Sequence, residues 1–594
     1  MKAGLKFAVV SLSAAAILSA CGGDDDSAAG PQAAETRAAA LRQADRPFVD
    51  PNTYSPDPDA SLPANASFDQ AAVTHHTMQL NGKTVHYTAT AGHLTAIAPR
   101  TGPTQPADKE VSFFYVAYTL DGAPTRKRPV TFFWNGGPGS STIWLHLGSW
   151  GPKTLDIDEA SLTPDKLQTQ PARFPLVDND VTMLNDSDIV FVDAPGTGYS
   201  EAVAPHRNQD FWGIDKDADT FRDFITRYIK VNAREASPKY LYGESYGGIR
   251  TPIVASLLEQ QGSLGKDAPV LNGVMLNSPI LSYKTNCYMK WNFSGADYDY
   301  EKSNGNITKT TPEVSCGGFI PSYAAVSYSL KNPGATQQTV ADLVAQAEVT
   351  TSQQWSPDLQ RYFTQTANIY PDPTYDASLF TQSDQALFST MATLTAQAPI
   401  QWETAFNMNV PDYSSAALSL PDNQWDKWGY WSRMDRYNGL VTIPAGTNYV
   451  GADGAPLGPD NQDAEDYNDP AFANEIKTYL PDFLKYSSQS TYAIDPPAII
   501  DAWKWQHSSD ASTHPTSLPD LSEAMSLDPK LKVVVFHGYH DLACPYYQGV
   551  LDLAGAGLAS SVPIKAFSGG HMIYLTKSSR APMKQAIDDF FHQS

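Results

Sequence analysis

The chain of 594 residues has little cysteine, little positive charge and no long hydrophobic run. Its four cysteines form no Cys-x-x-Cys pair and no Cys/His cluster, so neither a metal site nor a dense disulfide framework is predicted. Acidic residues outnumber basic ones, 64 against 41. The net charge of −23 argues against nucleic acid as a partner, because nothing would replace the counterions of the phosphate backbone.

The overall composition is that of a packed globular protein. Hydrophobic residues make up 42% of the chain and charged residues 18%. Glycine (39) and proline (44) follow no strict period, which excludes collagen-like and low-complexity chains. The length allows several domains or one enlarged α/β domain.

The N-terminus has the pattern of a secretion signal. Lys2 and Lys6 precede a short apolar stretch, Phe7 to Leu18, that is too short for an ordinary spanning helix. Residues 18–21, Leu-Ser-Ala-Cys, resemble the bacterial lipobox, which implies lipidation of Cys21. An ordinary signal peptide cleaved nearby is the alternative. Gly22, rather than Asp, follows Cys21, and this resembles the pattern of Gram-negative lipoproteins that are sorted to the outer membrane. We therefore expect an exported, lipid-anchored protein, at the outer membrane facing the periplasm or at the cell surface.

Composition divides the rest of the chain. Residues 21–67 are rich in Ala, Asp and Pro and predict a disordered tether, since they cannot bury enough apolar surface to offset the entropy of ordering. Residues 68–282 and 529–594 predict an α/β core. Residues 283–528 hold eight of the 12 tryptophans and predict one large inserted cap.

Short apolar runs, most of them followed closely by Gly, Asp, Asn or Pro, predict the strands of a mostly parallel sheet. They begin at Val130, Asp188, Tyr240, Gly273 and Lys532. Between the second and third, apolar residues recur at three- and four-residue spacing and predict an amphipathic helix. They are Phe221, Phe224, Ile225, Tyr228 and Ile229. The alternation of strand and helix predicts an α/β fold with right-handed crossovers.

The sequence Gly243-Glu244-Ser245-Tyr246-Gly247 directly follows one of these strands. A nucleophile elbow needs small residues around its serine because the turn is sharp. A serine nucleophile also needs a base, and the base needs an orienting acid. Asp541 and His571 follow later strands in the order Ser, Asp, His that α/β-hydrolases use. We therefore predict an α/β-hydrolase fold with this catalytic triad.

A glycine-rich loop, residues 135–141 (Asn-Gly-Gly-Pro-Gly-Ser-Ser), follows the first predicted strand. Such a loop brings main-chain N–H groups close to a developing oxyanion because no side chains intervene. We predict an oxyanion hole formed by the N–H groups of Gly137 and Tyr246. A tight turn without a catalytic role is the alternative.

Several blocks together resemble the serine carboxypeptidase family. They are residues 135–141, 192–200 (Val-Asp-Ala-Pro-Gly-Thr-Gly-Tyr-Ser) and 243–248, Asp541, and residues 570–572 (Gly-His-Met). The resemblance implies an exopeptidase that releases C-terminal residues from peptides through an acyl-enzyme, without a metal or cofactor. Ser245 would attack the carbonyl carbon, His571 would carry the proton, and Asp541 would orient the imidazole of His571. Asn135 and Glu244 would hold the terminal carboxylate of the substrate.

One departure from the family pattern concerns this carboxylate. The family usually has Glu-Leu-Gly-Pro where this chain has Ser149-Trp150-Gly151-Pro152, so the carboxylate partner of Glu244 is missing. With Ser149 donating a neutral hydrogen bond instead, terminal-carboxylate binding should weaken less as the pH rises than in relatives with two glutamates. Arg250 is a second candidate for the missing carboxylate partner. The alternative is that Arg250 has only a packing or salt-bridge role.

The remaining cysteines and two other functions stay open from sequence. A disulfide between Cys287 and Cys316 is the simplest pairing in an exported protein and leaves Cys544 free, although other pairings are possible. An esterase or acyltransferase would use the same triad on small acyl substrates. A non-catalytic surface lipoprotein would use the fold as a binding module, but the complete triad argues against it.

Overall fold

The computed structural model of the chain is organised around a ten-stranded sheet. The structure describes residues 44–65, 68–100, 107–124, 127–162, 174–261, 270–286, 316–355, 357, 380–404, 408, 410–418, 434–442, 469–508 and 514–592. Contacts divide the chain into Met1–Ala44 and Asp45–Ser594, and of the first unit only Ala44 is described.

The strands carry the labels β1 to β14 in chain order. Their bounds are β1 Phe48–Val49, β2 Ala71–Leu80, β3 Lys83–Ile97, β4 Lys109–Leu120, β5 Val130–Trp134, β6 Lys153–Leu155, β7 Leu176–Asp178, β8 Asp188–Val192, β9 Glu201–Ala202, β10 Lys239–Glu244, β11 Gly273–Asn277, β12 Tyr486–Ser487, β13 Lys532–Gly538 and β14 Ile564–Phe567.

The sheet is parallel over most of its width. Its order is β14-β13-β11-β10-β5-β8-β4-β3-β2, and β9 pairs with β4. The strands from β14 to β8 are parallel, whereas β4, β3 and β2 continue the sheet antiparallel. The five predicted strands are β5, β8, β10, β11 and β13, all in the parallel part. The predicted α/β-hydrolase fold class is therefore confirmed, while the antiparallel extension was not predicted.

The α-helices of the described residues carry the labels α1 to α13. Their bounds are α1 Ile143–Gly148, α2 Ile214–Val231, α3 Gly247–Gln261, α4 Ile320–Lys331, α5 Gln337–Thr350, α6 Gln382–Thr395, α7 Pro399–Thr404, α8 Val410–Ala417, α9 Asp469–Thr478, α10 Pro497–Asp501, α11 Leu518–Leu527, α12 Tyr546–Gly555 and α13 Lys577–His592. None of these helices is both long and apolar enough to cross a bilayer.

Two hydrophobic cores cover the two faces of the sheet. Neighbouring residues of one strand supply opposite cores, as the alternation of side chains requires: Phe133 of β5 belongs to one and Phe132 to the other. Helices α1, α9 and α13 contribute to the first core, and α2, α3 and α11 contribute to the second. The five apolar residues that predicted helix α2 are all buried in the second core.

The predicted cap region does not behave as one insertion. Trp355 and Trp402 do form a separate core with α4 and α6, their rings 5.8 Å apart between centroids. Residues 469–508, by contrast, join the cores of the sheet, where Phe472 packs on one face and Ile499 on the other. Helix α11 does so as well. The predicted boundary of 283–528 is therefore wrong at its C-terminal side, where the aromatic residues belong to the hydrolase core.

The predicted tether, residues 21–67, is also too long. Within residues 45–65, Asp50 is buried, and its Oδ2 accepts hydrogen bonds from the hydroxyls of Tyr54 at 2.8 Å and Tyr486 at 2.7 Å. His93 Nε2 lies 3.5 Å from the same oxygen. Because a buried carboxylate needs such partners, Asp50 fixes this segment to the core. The polar composition concealed this anchoring.

Two of the four cysteines lie within the described residues. Cys544 is a buried free thiol, as predicted. Cys21 and Cys287 lie outside the described residues, so the lipid attachment and the Cys287–Cys316 pairing stay predictions. Cys316 itself is buried in the core formed by α4 and α6.

We expect Tyr486→Phe to lower the free energy of unfolding by about 1–3 kcal/mol, because it deprives the buried Asp50 carboxylate of one donor. Tyr228→Phe is the matched control, since Tyr228 is also buried but its hydroxyl makes no hydrogen bond to the described residues. Denaturant unfolding of both variants measures the difference. Equal stability of the two would contradict a role of Asp50 in anchoring the N-terminal segment.

Candidate active site

Ser245 lies on a sharp turn between β10 and α3. Its φ is +61°, a left-handed conformation that is strained for serine and typical of a nucleophile elbow. Gly243 is required here, because a Cβ would lie 2.0 Å from Thr251 Oγ1. Gly247 is not: a Cβ there would meet nothing closer than 3.7 Å. The predicted elbow is therefore present, with close packing on one side of the serine only.

Asp541 and His571 meet in the predicted manner. Asp541 follows β13 and His571 follows β14, and Asp541 Oδ2 lies 2.8 Å from His571 Nδ1. Asp541 Oδ1 accepts the main-chain N–H groups of Ala543 and Cys544, each at 2.9 Å. With Nδ1 directed to the carboxylate, Nε2 is left to act on a serine hydroxyl.

The end of β11 connects the elbow to the histidine loop. Ser245 N–H donates to Asn277 O at 3.0 Å, and Ser278 Oγ donates to His571 O at 2.7 Å. Ser245 is partly exposed, and its hydroxyl makes no hydrogen bond to the described residues. Catalytic hydrogen bonds of this kind commonly tighten only when substrate binds. The three predicted triad residues thus gather at the carboxyl edge of the sheet, where ligands of α/β folds bind.

The Asp541 carboxylate stabilises a positive charge on His571. Burial lowers the pKa of His571, but the adjacent Asp541 carboxylate raises it, and the net effect is a pKa above the ordinary value. Burial raises the pKa of Asp541, against the effect of the His571 charge. Asp541 therefore stabilises the imidazolium that forms when His571 accepts a proton.

Cys544 is a neighbour of the triad that the sequence analysis did not recognise. Ligand atoms of Asp541, Cys544 and His571 all lie within 4.8 Å of one another. Burial raises the pKa of the Cys544 thiol, which keeps it neutral. The spacing of three residues from Asp541 was the available signal.

The glycine-rich loop packs directly against the elbow. A Cβ on Gly136 would lie 2.5 Å from the nitrogen of Tyr246 and 2.7 Å from Ser245 Cβ. Gly137, with φ +100°, continues the loop. Neither Gly137 nor Tyr246 donates its main-chain N–H to an acceptor in the described part of the chain. Both amides are therefore available for the oxyanion of an acyl-transfer reaction.

The carboxyl group of Glu244 lies behind the elbow and has three donors. Asn135 Nδ2 donates to its Oε1 at 2.6 Å, so the two residues that the resemblance assigns to carboxylate recognition lie in contact. Tyr574 OH donates to the same oxygen at 3.1 Å, and Asn277 Nδ2 donates to Oε2 at 2.7 Å. Asn135 is held in turn by the N–H of Leu145, which donates to its Oδ1 at 3.0 Å.

Burial raises the pKa of Glu244 to about 7. The charge of His571 and the hydrogen bond from Tyr574 oppose this rise. A carboxyl group with such a pKa is protonated in mildly acidic solution, where it can donate a hydrogen bond to an anion.

Ser149 does not take the predicted place. Its hydroxyl donates to Leu145 O at 2.5 Å, one turn earlier in α1, so the hydrogen is not directed to Glu244. The expectation that Ser149 replaces a second glutamate by donating a neutral hydrogen bond is therefore wrong. The hydroxyl that reaches Glu244 belongs to Tyr574, whose position three residues after His571 was the only signal in the sequence.

Arg250 has the salt-bridge role that was the alternative to carboxylate binding. Its guanidinium forms a buried bidentate ion pair with Asp217, at 2.5 and 3.1 Å. A third donor, Nη1, donates to Asn135 O at 2.8 Å. Arg250 thus supports the main chain beside the carboxylate site, and its positive charge is paired with the Asp217 carboxylate.

A segment of the predicted cap, residues 434–442, packs on the triad loops. Tyr437 O accepts the N–H of His571 at 2.6 Å, and the two rings lie 5.0 Å apart between centroids. Two further main-chain hydrogen bonds join the segment to the loop after β13: Leu542 N–H to Arg436 O (2.8 Å) and Gly439 N–H to His540 O (3.0 Å). No sequence pattern indicated this contact.

A family model for serine carboxypeptidases matches residues 82–429, more than half of the chain. The chain belongs to the serine carboxypeptidase family. The match includes Ser245 and the glycine-rich loop but ends before Asp541 and His571. For those two residues the geometry described above is the evidence.

Individual relatives are distant and match in part. Serine carboxypeptidase-like 1 of Arabidopsis thaliana is 26% identical over 181 residues, 30% of this chain and 38% of that protein. Pheromone-processing carboxypeptidase KEX1 of Saccharomyces cerevisiae is 28% identical over 247 residues, 39% of this chain and 31% of that protein. The crystal structure of KEX1(delta)P, a prohormone-processing carboxypeptidase from the same yeast, aligns with 84% of this chain and 91% of that chain, at 13% identity and a TM-score of 0.46.

We expect Gly136→Ala to lower kcat by about 10²-fold or more, because its methyl group would displace the amide of Tyr246 from the oxyanion. Gly555→Ala is the control, since a Cβ at Gly555 meets nothing within 4 Å. Acyl-transfer rates and thermal midpoints of both variants separate a local from a global effect. A Gly136→Ala enzyme with normal kcat would show that the loop does not form the oxyanion hole.

Proposed function

We propose that the protein is a serine-type carboxypeptidase that releases C-terminal residues from peptides. The observation that carries the proposal is the buried hydrogen bond between Asn135 and Glu244, directly behind Ser245. A hydrolase that acts on internal bonds has no need of a buried carboxyl group beside its nucleophile. A group that recognises a free terminal carboxylate explains it.

The reaction uses two acyl transfers. Ser245 Oγ attacks the carbonyl carbon of the last peptide bond and loses its proton to His571 Nε2. The oxyanion accepts hydrogen bonds from the amides of Gly137 and Tyr246. The C–N bond breaks as His571 returns the proton to the leaving amino group, and the C-terminal residue departs. Water then attacks the ester, His571 accepts its proton, and return of that proton to Ser245 releases the shortened peptide.

Recognition of the terminal carboxylate depends on protonation. Two carboxylates repel each other, so Glu244 binds the substrate anion as a neutral acid. Asn135 contributes through its amide. Binding is strongest below the pKa of Glu244 and declines as the pH rises through about 7.

The substrate test compares an N-blocked dipeptide with its C-terminal amide. We expect the free acid to be hydrolysed about 10–100-fold more efficiently in kcat/KM near pH 5, because charge-assisted hydrogen bonds are lost with the amide. Glu244→Ala should remove most of this preference through KM. Equal rates on both substrates would favour an esterase or acyltransferase.

The control for chemistry is Ser245→Ala, which should lower kcat by about 10⁴-fold or more and abolish labelling by an organofluorophosphate. Absence of labelling in the unaltered protein would favour a non-catalytic binding lipoprotein.

We further propose that the protein is exported and attached to the membrane through lipid on Cys21, and that Cys287 pairs with Cys316. The support is the lipobox-like sequence after a short apolar stretch and the oxidising environment of exported proteins. Outer-membrane localisation and a peptide substrate complete the proposal.

Cys21→Ser should abolish incorporation of radiolabelled fatty acid and move the protein from the membrane to the soluble fraction. Cys544→Ser is the matched control, because that thiol is buried in the folded body and should not affect anchoring. Membrane retention of the Cys21→Ser protein without label would contradict lipid attachment.

A further inference from the structure

Tyr574 joins the histidine loop to the carboxylate site. It lies in the 3₁₀ turn Ile573–Leu575, directly after His571, and its hydroxyl donates to Glu244 Oε1 at 3.1 Å. Both side chains are completely buried. Burial and the nearby charge of Glu244 raise the pKa of Tyr574, so its hydroxyl keeps the proton that it donates.

The groups around Glu244 come from every neighbouring element. Uncharged amides face it from the loop after β5 and from β11, through Asn135 and Asn277. The charges that act on it are those of His571, which favours the ionised carboxylate, and Asp541, which disfavours it. Burial and the charge of Glu244 also raise the pKa of Tyr242, on the same strand.

Of the remaining nearby charges, that of Glu159 raises the pKa of Tyr574, and that of Arg250 is paired with Asp217. Among the described residues, Tyr574 is the one whose hydroxyl donates to Glu244.

We propose that Tyr574 is a specificity-determining residue that sets the pH above which the enzyme no longer binds a free C-terminal carboxylate. The inference rests on the proposed function, because it assigns to Tyr574 the control of Glu244 as the carboxylate-binding group.

The direction of the effect follows from the hydrogen bond. A donor stabilises the ionised form of a carboxyl group more than its neutral form. The Tyr574 hydroxyl therefore lowers the pKa of Glu244 from the still higher value that burial alone would give. Ionised Glu244 repels a substrate carboxylate, so Tyr574 brings the loss of binding to lower pH. Removal of the hydroxyl should extend binding to higher pH.

The experiment measures kcat/KM against pH for an N-blocked dipeptide and its C-terminal amide, with the wild-type enzyme and Tyr574→Phe. For the free acid we expect the alkaline decline to move up by about one pH unit in Tyr574→Phe, mainly through KM. The amide has no terminal charge, so its profile should be the same for both enzymes. An unchanged decline, or one that moves to lower pH, overturns the proposal.

Two variants exclude a merely structural effect. Tyr486→Phe removes the same kind of hydroxyl–carboxylate hydrogen bond elsewhere, at Asp50, and should leave the alkaline decline of the free acid in place. Glu244→Gln removes the titrating group and should abolish the decline. If Tyr486→Phe moves the decline as far as Tyr574→Phe does, the effect reflects general loosening and the proposal fails.

A direct titration separates this inference from the proposed function. ¹³C NMR of glutamate-labelled protein follows Glu244, whose resonance is identified by its loss in Glu244→Gln. If neither dipeptide is hydrolysed, the proposed function fails, but a higher titration midpoint of Glu244 in Tyr574→Phe still supports control of this carboxyl group by Tyr574. An equal midpoint in both proteins overturns it.

Discussion

The hydrogen bond between Asp541 and His571 is the contact on which the rest of the site depends. It joins loops that follow β13 and β14, and it fixes which imidazole nitrogen faces the nucleophile. The parallel part of the sheet makes this possible, because the carboxyl ends of β10, β11, β13 and β14 all lie at one edge. The strain at Ser245 is maintained by the same edge, where the end of β11 binds the elbow and the histidine loop together.

Sequence reasoning worked where chemistry and strand order coincide. The parallel strands could be predicted because strands buried on both faces are continuous apolar runs. The placement of Ser245, Asp541 and His571 at strand ends could be predicted because they follow such runs in a fixed order. The antiparallel strands β2 and β3 contain many polar residues and gave no comparable signal, whereas the apolar run 113–118 of β4 was a signal that was overlooked. The segment 45–65 was misjudged because its few apolar residues, among them Tyr54 and Leu62, do reach the core, and Asp50 adds a buried carboxylate whose hydrogen bonds the composition does not reveal.

The carboxylate site shows the limit of transferring a motif by position. Ser149 occupies the place of a glutamate along the chain, but its short side chain bonds to its own helix. Tyr574 is 330 residues from Glu244 in sequence and reaches it through the fold. A pattern along the chain identifies which group is missing, whereas only the packing reveals which hydroxyl donates to Glu244.

The segment 434–442 supports the histidine loop from outside the sheet. Its carbonyl at Tyr437 binds the main chain of His571, and its other main-chain bonds hold the loop after β13. Swinging this segment outward would break three main-chain hydrogen bonds and release the imidazole from its support. The imidazole thus owes its position to a stretch of chain more than 100 residues away in sequence, as well as to the strands that carry the site.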